Sequence, residues 1–243
     1  MVKQDRSSPA RRASDRGRLG RLSQERVLTA ALGLVDREGL SALSMRRLGS
    51  ELGVEAMALY RYASNKDALL DGLVEALYLE LEERLGPDGR AGTDWRAGLH
   101  RIARATYDVC LAHPRAVPLL ATRLLAVPLA RRPAAVLRDH ERVLALLRGA
   151  GFDETAASAV FRAFTAWLLG YVTVELRPMV DNPDETDPGF RLGLHRLSPK
   201  ELPTLRETAA SLAERGGPEG LAAGLDALLD GFSGGGSPSA ASR

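Results

Sequence analysis

A short stretch in the first third of the chain, residues 44–67, constrains the fold most strongly. Ser44 is a favourable N-cap, and apolar residues recur after it at helical spacing as far as Leu52. Gly53 follows immediately, where an abrupt helix end favours a residue that tolerates positive φ. A second helix is predicted over residues 55–62, too short to be stable alone in water. Two short helices joined by a tight turn are typical of a helix-turn-helix, whose second helix can enter the major groove of DNA.

The predicted second helix has a slender outer face. Leu59 falls on its inner side, whereas Ala56, Met57 and Ala58 are left outside. Small or unbranched side chains at these positions would let the helix backbone come close to base edges. After this helix, Ser64 and Asp67 have the spacing of a capping box, which predicts that another helix begins near residue 65.

Residues 23–80 resemble the N-terminal DNA-binding domain of the TetR family of bacterial repressors. The resemblance is carried by an ordered set of segments: Ala30–Val35, Glu38–Leu40, Leu43–Leu48, Leu52–Val54, Leu59–Tyr62 and Asn65–Leu70. Each segment alone would be weak evidence, because short helix-turn-helix patterns occur by chance. The set in this order and at these spacings is specific to the family.

The C-terminal part resembles the regulatory domain of the tetracycline-repressor type, through residues 137–144, 149–152, 163–164 and 169–172. One departure concerns the metal site of that repressor. Its metal-binding His precedes a Leu-Gly-Thr-Arg stretch, and in the similar segment here that position is Leu119. The departure disfavours a magnesium-chelated tetracycline and favours a small apolar ligand. We therefore expect no metal and no cofactor.

The periodicity of the chain predicts an all-α fold, with a three-helix helix-turn-helix domain followed by a helical ligand-binding and dimerisation domain. The expected divisions are a disordered basic arm (1–22), the DNA-binding domain (23–68), the regulatory domain (69–232) and a flexible tail (233–243). Helices are expected at about 23–38, 65–85, 94–112, 115–126, 133–147, 153–177, 199–215 and 218–232, with an acidic loop at 181–197.

The charge of the chain is divided unevenly. Residues 1–66 contain 13 Lys or Arg and 7 Asp or Glu, whereas residues 67–243 contain 20 and 24. The basic end is therefore the end that carries the motif, as expected for a surface that binds phosphate. A merely solvated basic tail would give the same imbalance, so the motif decides between the two interpretations.

Other classes of protein find little support in the sequence. Cys110 is the only cysteine, which excludes an intrachain disulfide and suits a cytoplasmic location. We expect no membrane association, because no run of 18 apolar residues occurs and the N-terminus lacks the apolar region of a signal peptide. The histidines lack metal-ligand spacing, and no phosphate loop or nucleophile elbow is present. We therefore expect no catalytic residues and no enzyme activity.

The resemblance implies a set of DNA contacts. Arg46 is the better candidate for a base contact, since arginine is the preferred reader of guanine, and Arg47 is a phosphate or surface residue. Tyr60 and Lys66 match family positions that hold the phosphate backbone. Arg61 and Tyr62 occupy outward positions within reach of bases or sugars, although each of these side chains could instead be simply solvated. The candidate set is Arg46, Arg47, Ala56, Met57, Tyr60, Arg61, Tyr62 and Lys66.

The N-terminal arm contains seven further cations: Lys3, Arg6, Arg11, Arg12, Arg16, Arg18 and Arg21. We hypothesise that some of them enter the minor groove or follow phosphates, which deletion of residues 1–20 would reveal as a weaker salt dependence of binding. A tail with incidental charge is the alternative.

A homodimer is expected, because one helix-turn-helix reads only a few base pairs and a two-fold dimer reads two half-sites. Small residues at helical spacing on two helices would let two backbones approach closely, and in the family these helices build the dimer interface. The candidates are Ala159, Ala163, Ala166, Gly170, Gly220, Gly224 and Leu228. The alternative is that these residues pack within one subunit.

A small-molecule inducer would bind between the helices of the regulatory domain, in a largely apolar cavity with a few polar groups. The candidate lining residues are His100, Arg104, Tyr107, His140, Phe164, Thr165, Trp167 and Tyr171. An aromatic stripe at helical spacing is more often core, so most of these residues have a structural alternative.

These observations predict a ligand-responsive, sequence-specific transcriptional regulator, most simply a repressor released from a palindromic double-stranded DNA operator by a small apolar molecule. Two alternatives belong to other classes. A DNA-binding activator or architectural protein would have no inducer cavity, and a helical protein-interaction module would show no salt-dependent affinity for DNA.

Overall fold

The computed structural model describes residues 22–86, 94–181, 184–191, 193–198 and 200–233, and within these ranges the chain is helical and contains no strand. The helices are α1 (Gln24–Glu38), α2 (Met45–Leu52), α3 (Ala56–Leu59), α4 (Lys66–Leu85), α5 (Trp95–Ala112), α6 (Val117–Ala126), α7 (Ala134–Gly149), α8 (Glu154–Asp181), α9 (Pro188–Arg191), α10 (Pro203–Glu207), α11 (Ala209–Ala213) and α12 (Gly217–Ser233). The all-α prediction is confirmed. The predicted cations of the N-terminal arm and most of the predicted tail lie outside the described residues.

The head consists of α1 to α3 and the first turn of α4. Ser23 begins α1, because its side chain accepts a hydrogen bond from the backbone N–H of Arg26 at 3.2 Å, and Gly39 ends the helix with a φ of 83°. The buried face of α1 consists of the four residues that periodicity predicts, Val27, Ala31, Leu34 and Val35. Leu43, Leu48 and Leu59 complete a small core beneath the motif.

The body consists of the rest of α4 and the helices that follow it. The long helix α4 packs against α1 in the head and against α5, α6 and α7 in the body, so one continuous helix links the two parts. The helix α8 contributes Val160, Phe164, Leu168 and Val172 to the core, and it packs against α5, α6, α7 and α12. The head and the body are therefore joined rigidly through α4.

The closing helix α12 is held on α8 by polar and steric fit. The hydroxyl of Tyr171 donates to the carbonyl oxygen of Gly217 at 2.7 Å, and the carboxylate of Glu175 accepts from the backbone N–H of Gly217 at 2.9 Å. A negative charge at a helix N-terminus is stabilising. A Cβ added at Gly224 would lie 2.9 Å from the Trp167 ring. The two helices can be this close because glycine has no side chain there.

One predicted helix boundary and one predicted capping residue in the head are wrong. The helix α3 is shorter than the predicted span 55–62, because the chain turns at residues 60–62 and the N–H groups of Tyr62 and Ala63 both bond to the carbonyl of Leu59. The cap of α4 is Asn65, whose side chain accepts from the N–H of Ala68 at 2.8 Å, and not Ser64. Adjacent cap-forming residues satisfy the same sequence pattern, and only the backbone geometry selects one of them.

Three predictions in the body also need correction. The helix α8 does not end at residue 177 but continues through Pro178 to Asp181, with Leu176 and Met179 packed on the core on either side of the proline. The predicted loop 181–197 contains the short helix α9, and the predicted helix 199–215 is two short helices, α10 and α11. Tertiary packing overrides local helix-breaking preference at Pro178.

Part of α8, Glu154–Arg177, is the one described helix that is long and apolar enough to cross a membrane by length and composition alone. Length and composition alone do not indicate a membrane span, because a helix that packs into a helical core through one face has the same composition. Here that face supplies six core residues: Ala157, Val160, Phe164, Leu168, Val172 and Leu176.

Candidate functional site

The helix-turn-helix is built around two glycines. Ser44 begins α2 by accepting a hydrogen bond from the N–H of Arg47 at 3.1 Å, and Gly53 ends it in the left-handed conformation with a φ of 67°. Gly49 is buried at the crossing, where an added Cβ would lie 2.8 Å from the carbonyl oxygen of Val54. The turn that brings α3 against α2 therefore requires the absence of a side chain at Gly49 and the freedom of φ at Gly53.

The outer face of α3 is available to solvent. Met57 is 76% exposed and Tyr60 is 44% exposed, whereas Leu59 between them is completely buried. Arg46 on α2, Arg61 after α3 and Lys66 at the start of α4 are also exposed. Within the described residues, none of these three cations forms an ion pair. A slender helix with free cations before and after it is suited to a groove lined by phosphates.

Arg47 differs from Arg46, its neighbour on α2. Its guanidinium pairs with Glu38 at 2.5 Å and with Glu51 at 3.2 Å, and Glu51 also pairs with Arg37 at 2.6 Å. The hydrogen bond from Arg47 is the main cause of the lowered pKa of Glu38. Two carboxylates therefore already neutralise Arg47, which removes the main reason for counting it among the DNA contacts.

Tyr62 is turned inward, contrary to the predicted outward position. Its ring packs against the core, and its hydroxyl donates to the carbonyl oxygen of Leu22 at 2.7 Å. The chain turn at residues 60–62 separates the two tyrosines, so that Tyr60 faces solvent while Tyr62 fastens the beginning of the described chain to the motif. Tyr62 is therefore a structural residue of the head.

Two side-chain bridges that involve carboxylates join the head to the body. Arg123 on α6 binds Asp71 at 2.8 Å and Asp67 at 3.1 Å, both in the first turns of α4. His113, which follows α5, lies between Asp36 on α1 at 2.8 Å and Glu80 on α4 at 2.9 Å. The first bridge reaches α4 one residue after Lys66. Arg123 therefore ties α6 to the end of α4 that carries Lys66.

The eight predicted ligand-contacting residues do not converge on one cavity. His100 pairs with Asp226 on α12 at 2.7 Å, and Arg104 pairs with Asp108 on its own helix at 3.0 Å. Tyr107, Trp167 and Tyr171 pack together where α5, α8 and α12 meet, with ring centroids 6.3 Å apart for the two tyrosines. Four of these five residues connect helices, whereas Arg104 is paired within α5.

The remaining three predicted residues lie elsewhere in the body. Phe164 is a core residue and is 3% exposed. His140 on α7 is buried against Phe161, with ring centroids 5.0 Å apart, and its Nδ1 has no hydrogen-bond partner. Of these three, only Thr165 lines an open cleft. Trp167 and Tyr171 line another cavity, of about 330 Å³, on α8. The sequence pattern placed these residues on the correct helices, α5, α7 and α8. It did not show which faces of these helices pack against one another.

That cleft lies between α6 and α8. One part has a volume of about 520 Å³ and the other about 380 Å³, and both are lined by Ala121 and Thr173, so they form one continuous groove. This size suits a small organic molecule. Eight residues that line the larger part follow one another at helical spacing on α8. Sequence reasoning missed the groove because Ala121 on α6 and Arg132 before α7 complete it only in the folded chain.

Behind this cleft lies a buried polar pair on α7. Burial raises the pKa of the Asp139 carboxyl to about 6, although Arg142 binds it at 3.2 Å. Burial also lowers the pKa of the His140 imidazole to about 4, with a further contribution from the positive charge of Arg132. At neutral pH the histidine is therefore uncharged.

The predicted dimer residues divide into two groups. On α8, Ala166 and Gly170 are exposed, Ala159 and Ala163 are half-buried, and the next outward residue, Val174, is 75% exposed. On α12, Gly220 and Gly224 turn toward Tyr171 and Trp167 of the same subunit. The close approach made by these two glycines is within the subunit. Leu228 is half-buried on the same helix.

These features define a helix-turn-helix protein with a helical regulatory body, and comparison with known proteins identifies its family. A family model described as "Bacterial regulatory proteins, tetR family" matches residues 27–73, and one described as "Tetracyclin repressor-like, C-terminal domain" matches residues 87–234. The tetracycline repressor protein class A from transposon 1721 of Escherichia coli is 32% identical over 212 residues, which cover 87% of this chain and 91% of that protein. The chain belongs to the TetR family of DNA-binding transcriptional regulators.

Other relatives match over a smaller part of their length. An HTH-type transcriptional regulator of Saccharopolyspora erythraea is 35% identical over 154 residues, which cover 63% of this chain and 61% of that protein. The HTH-type transcriptional repressor DrrR1 of Streptomyces coeruleorubidus is 31% identical over 165 residues, which cover 68% of this chain and 58% of that protein. The chain thus spans about three fifths of these two relatives. All three relatives are named as regulators or repressors and not as enzymes.

Solved structures agree with the family. A possible TetR family transcriptional regulator from Streptomyces coelicolor A3(2) superposes with a TM-score of 0.74 and 26% identity, covering 88% of this chain and 100% of that one. The Streptomyces coelicolor TetR family protein ActR in complex with actinorhodin gives a TM-score of 0.68 and 25% identity, covering 91% of this chain and 100% of that one.

Proposed function

We propose that this chain is a ligand-responsive repressor, which binds a palindromic operator as a homodimer and is released by a small molecule. The observation that carries the proposal is that one helix, α6, connects the groove to the beginning of α4. The helix α6 lines the groove through Ala121 and Thr122, and from the same helix Arg123 binds the first turns of α4. A ligand that shifts α6 would move the end of α4 that bears Lys66.

The proposed DNA contacts follow from exposure and free charge. Arg46 would read a guanine edge, Met57 would lie against the bases, and Tyr60, Arg61 and Lys66 would bind phosphate or sugar. Ala56 and its neighbours supply only apolar contacts. Arg47 and Tyr62 are not included, because both are engaged within the head.

A two-fold dimer would form through the outward stripe of α8, whose exposed members are Ala166, Gly170 and Val174. An apolar stripe of this kind on a long helix is costly to leave in water, so a second copy would stabilise it. Ala166→Arg is expected to give monomers, measured by sedimentation. Gly224→Ala, which acts within the subunit, is the matched control and is expected to stay dimeric with a lower melting temperature.

Release would be a coupling between two sites. If the groove is wider in the DNA-free arrangement of the heads, the ligand favours that arrangement by the difference in its affinity for the two states, typically about 1–3 kcal/mol. The crystal structure of ActR in complex with actinorhodin supports ligand binding in a related fold. The identity of that ligand is not transferred to this chain.

The first test is selection of bound duplexes from a randomised library at moderate salt. An enriched palindrome, with half-sites one helical turn or a multiple of it apart, is expected. The Lys66→Gln variant should then bind every sequence more weakly, with a salt slope lower by about 1. Retention without enrichment would favour an architectural protein, and no retention would favour a protein-interaction module.

A further inference from the structure

The groove between α6 and α8 has an unusual charge. In its larger part, the two charged residues are both arginines, Arg132 and Arg162, and no described lining residue carries a carboxylate. The rest of the lining is apolar or bears a hydroxyl, and includes Phe161, Thr165 and Leu169. It also includes Ala166, Gly170 and Val174, so the groove borders the proposed dimer stripe of α8. The groove would therefore repel a cation and attract an anion.

Neither arginine is neutralised within the described part of the chain. The Nε of Arg132 donates to the carbonyl oxygen of Val127 at 3.3 Å, which orients the guanidinium without cancelling its charge. Arg162 is exposed on α8 and forms no ion pair with a described residue. Several other arginines of the body bind carboxylates, as Arg138 binds Glu82 at 2.7 Å. Arg132 and Arg162 are therefore both available to bind an anion in the groove.

The electrostatic influence of Arg132 extends behind the groove. Its positive charge contributes to the lowered pKa of His140, whose ring lies against Phe161. Phe161 thus separates the groove from a buried imidazole whose Nδ1 has no partner. An aromatic ligand could stack on Phe161, while its charged group meets the two guanidinium groups at the rim.

We propose that the inducer is an organic acid: a ring-sized apolar body that packs on Phe161 and Leu169, carrying one carboxylate, sulfonate or similar anionic group bound by Arg132 and Arg162. This inference rests on the proposed function, since it names the chemistry of the ligand that would act there. It also refines the expectation of a purely apolar ligand. The apolar walls supply affinity and the arginines supply selection by charge.

A pair of fluorescent probes with the same aromatic body tests the charge requirement directly. 8-Anilino-1-naphthalenesulfonate is anionic, and N-phenyl-1-naphthylamine is its uncharged counterpart. Titrated into the full-length dimer, the anionic probe is expected to bind about tenfold more tightly than the neutral one, as one charge-assisted contact would provide. Equal affinity for the two probes would overturn the proposal.

Variants separate charge from shape. Arg162→Gln is expected to weaken the sulfonate about tenfold and to leave the neutral probe within about twofold, and Arg162→Lys is expected to restore most of the difference. Arg101→Gln removes an exposed arginine from α5, away from the groove, and serves as the matched control. Ala121→Phe would fill the groove and weaken both probes. If Arg101→Gln and Arg162→Gln have equal effects, binding is non-specific and the inference is wrong.

The same samples distinguish this inference from the proposed function. Binding to the selected duplex together with an unchanged sulfonate affinity in Arg162→Gln would refute the anionic inducer and leave the regulator intact. Failure to select any duplex would refute the regulator, whatever the probes do. Sulfonate binding by the native chain that weakens as the protein concentration is raised into the range of the dimer would show that the second copy covers the groove, which also overturns the inference.

Discussion

The head and the body use arginine in different ways. In the body, guanidinium groups fasten one helix to another: Arg96 on α5 binds Asp230 on α12 at 2.8 Å, and Arg123 on α6 binds Asp71 on α4 at 2.8 Å. On the exposed surface of the helix-turn-helix, Arg46 and Arg61 have no ionic partner among the described residues. The same side chain thus serves assembly in one part and remains available in the other.

The difference shows how to separate structural from functional charge in this fold. A solvent-exposed ion pair contributes little to stability, so pairing says mainly that a cation is already occupied. A cation left unpaired beside a slender helix or an apolar groove can bind an external anion. By this criterion Arg47 of the head resembles the paired arginines of the body. Arg132 and Arg162, although they lie in the body, resemble the unpaired Arg46 and Arg61 of the head.

The largest expected effect concerns the turn of the head. Gly49→Ala would place a Cβ 2.8 Å from the Val54 carbonyl oxygen and 3.2 Å from the Ala56 nitrogen, both backbone atoms. The contact between α2 and α3 would open, and we expect a loss of up to about 3 kcal/mol in the free energy of unfolding, together with loss of duplex binding. Chemical denaturation and a duplex titration measure the two effects.

Gly33→Ala on α1 is the matched control for that change. Its Cβ would lie 3.3 Å from the end of the flexible Arg37 side chain, so we expect a neutral or slightly stabilising effect. If both variants behave alike, close packing at Gly49 does not determine the motif.

The next effect tests the distinction between neighbouring arginines. Arg46→Ala is expected to weaken binding to the selected duplex roughly tenfold to a hundredfold, with loss of selectivity at one base pair of each half-site. Arg47→Ala is expected to change binding to the duplex much less, because Glu38 and Glu51 already neutralise Arg47. The loss of these two ion pairs is expected to lower the melting temperature slightly. A larger loss of affinity in Arg47→Ala would invert the comparison.

A pH effect distinguishes the interior of the body from its surface. The pKa of Asp139 is raised to about 6, so this residue contributes stability that is lost as the pH rises from about 4 to 6. The pKa of His140 is lowered to about 4, so this residue contributes stability that is lost as the pH falls from about 6.5 to 4. The two contributions have opposite signs and largely cancel in the native chain.

Removing either group should reveal the other. Relative to the native chain between pH 4 and 6, Asp139→Asn should lose about 1–2 kcal/mol more as the pH falls, and His140→Gln should lose that much less. Denaturation at several pH values gives the slopes, and the common contribution of the surface carboxylates cancels in the differences. Parallel slopes in all three proteins would show that burial does not perturb this pair.

The smallest effect separates the two tyrosines. Tyr62→Phe removes the hydrogen bond to Leu22 and is expected to cost about 1 kcal/mol of stability, with little change in affinity for the duplex. Tyr60→Phe is expected to do the reverse, lowering affinity by about 1 kcal/mol without changing the melting temperature. Affinity loss in Tyr62→Phe at full stability would return that residue to the DNA-contact set.

Much of the head could be predicted from the sequence, because its signals are local. Ser44, Gly53 and the buried stripe of α1 depend on backbone geometry within a few residues, and the structure places all of them as expected. Tyr62 could not be predicted. It has the same chemistry as Tyr60, and only the early end of α3 turns one ring outward and the other inward.

The body was harder to predict, because a helix that is apolar on several faces does not specify its neighbours. The aromatic stripe of α8 was recognised, yet Trp167 packs on Gly224 of α12, while Thr165 lines the groove with α6. Thr165 and Trp167 lie about 200° apart around the axis of α8, and the periodicity alone does not show which of these two sides meets α6 and which meets α12. The cleft arginines were missed for the same reason.

The sequence by itself determined the helical class, the family, the position of the DNA-reading motif and most helix ends, since each of these depends on propensity, capping and spacing along the chain. Tertiary structure alone decided which charges are paired, which glycines permit close helix contact and where a ligand-sized groove opens. Those outcomes depend on contacts between residues such as Arg123 and Asp67, which lie far apart in sequence. Their energies exist only after the helices have packed.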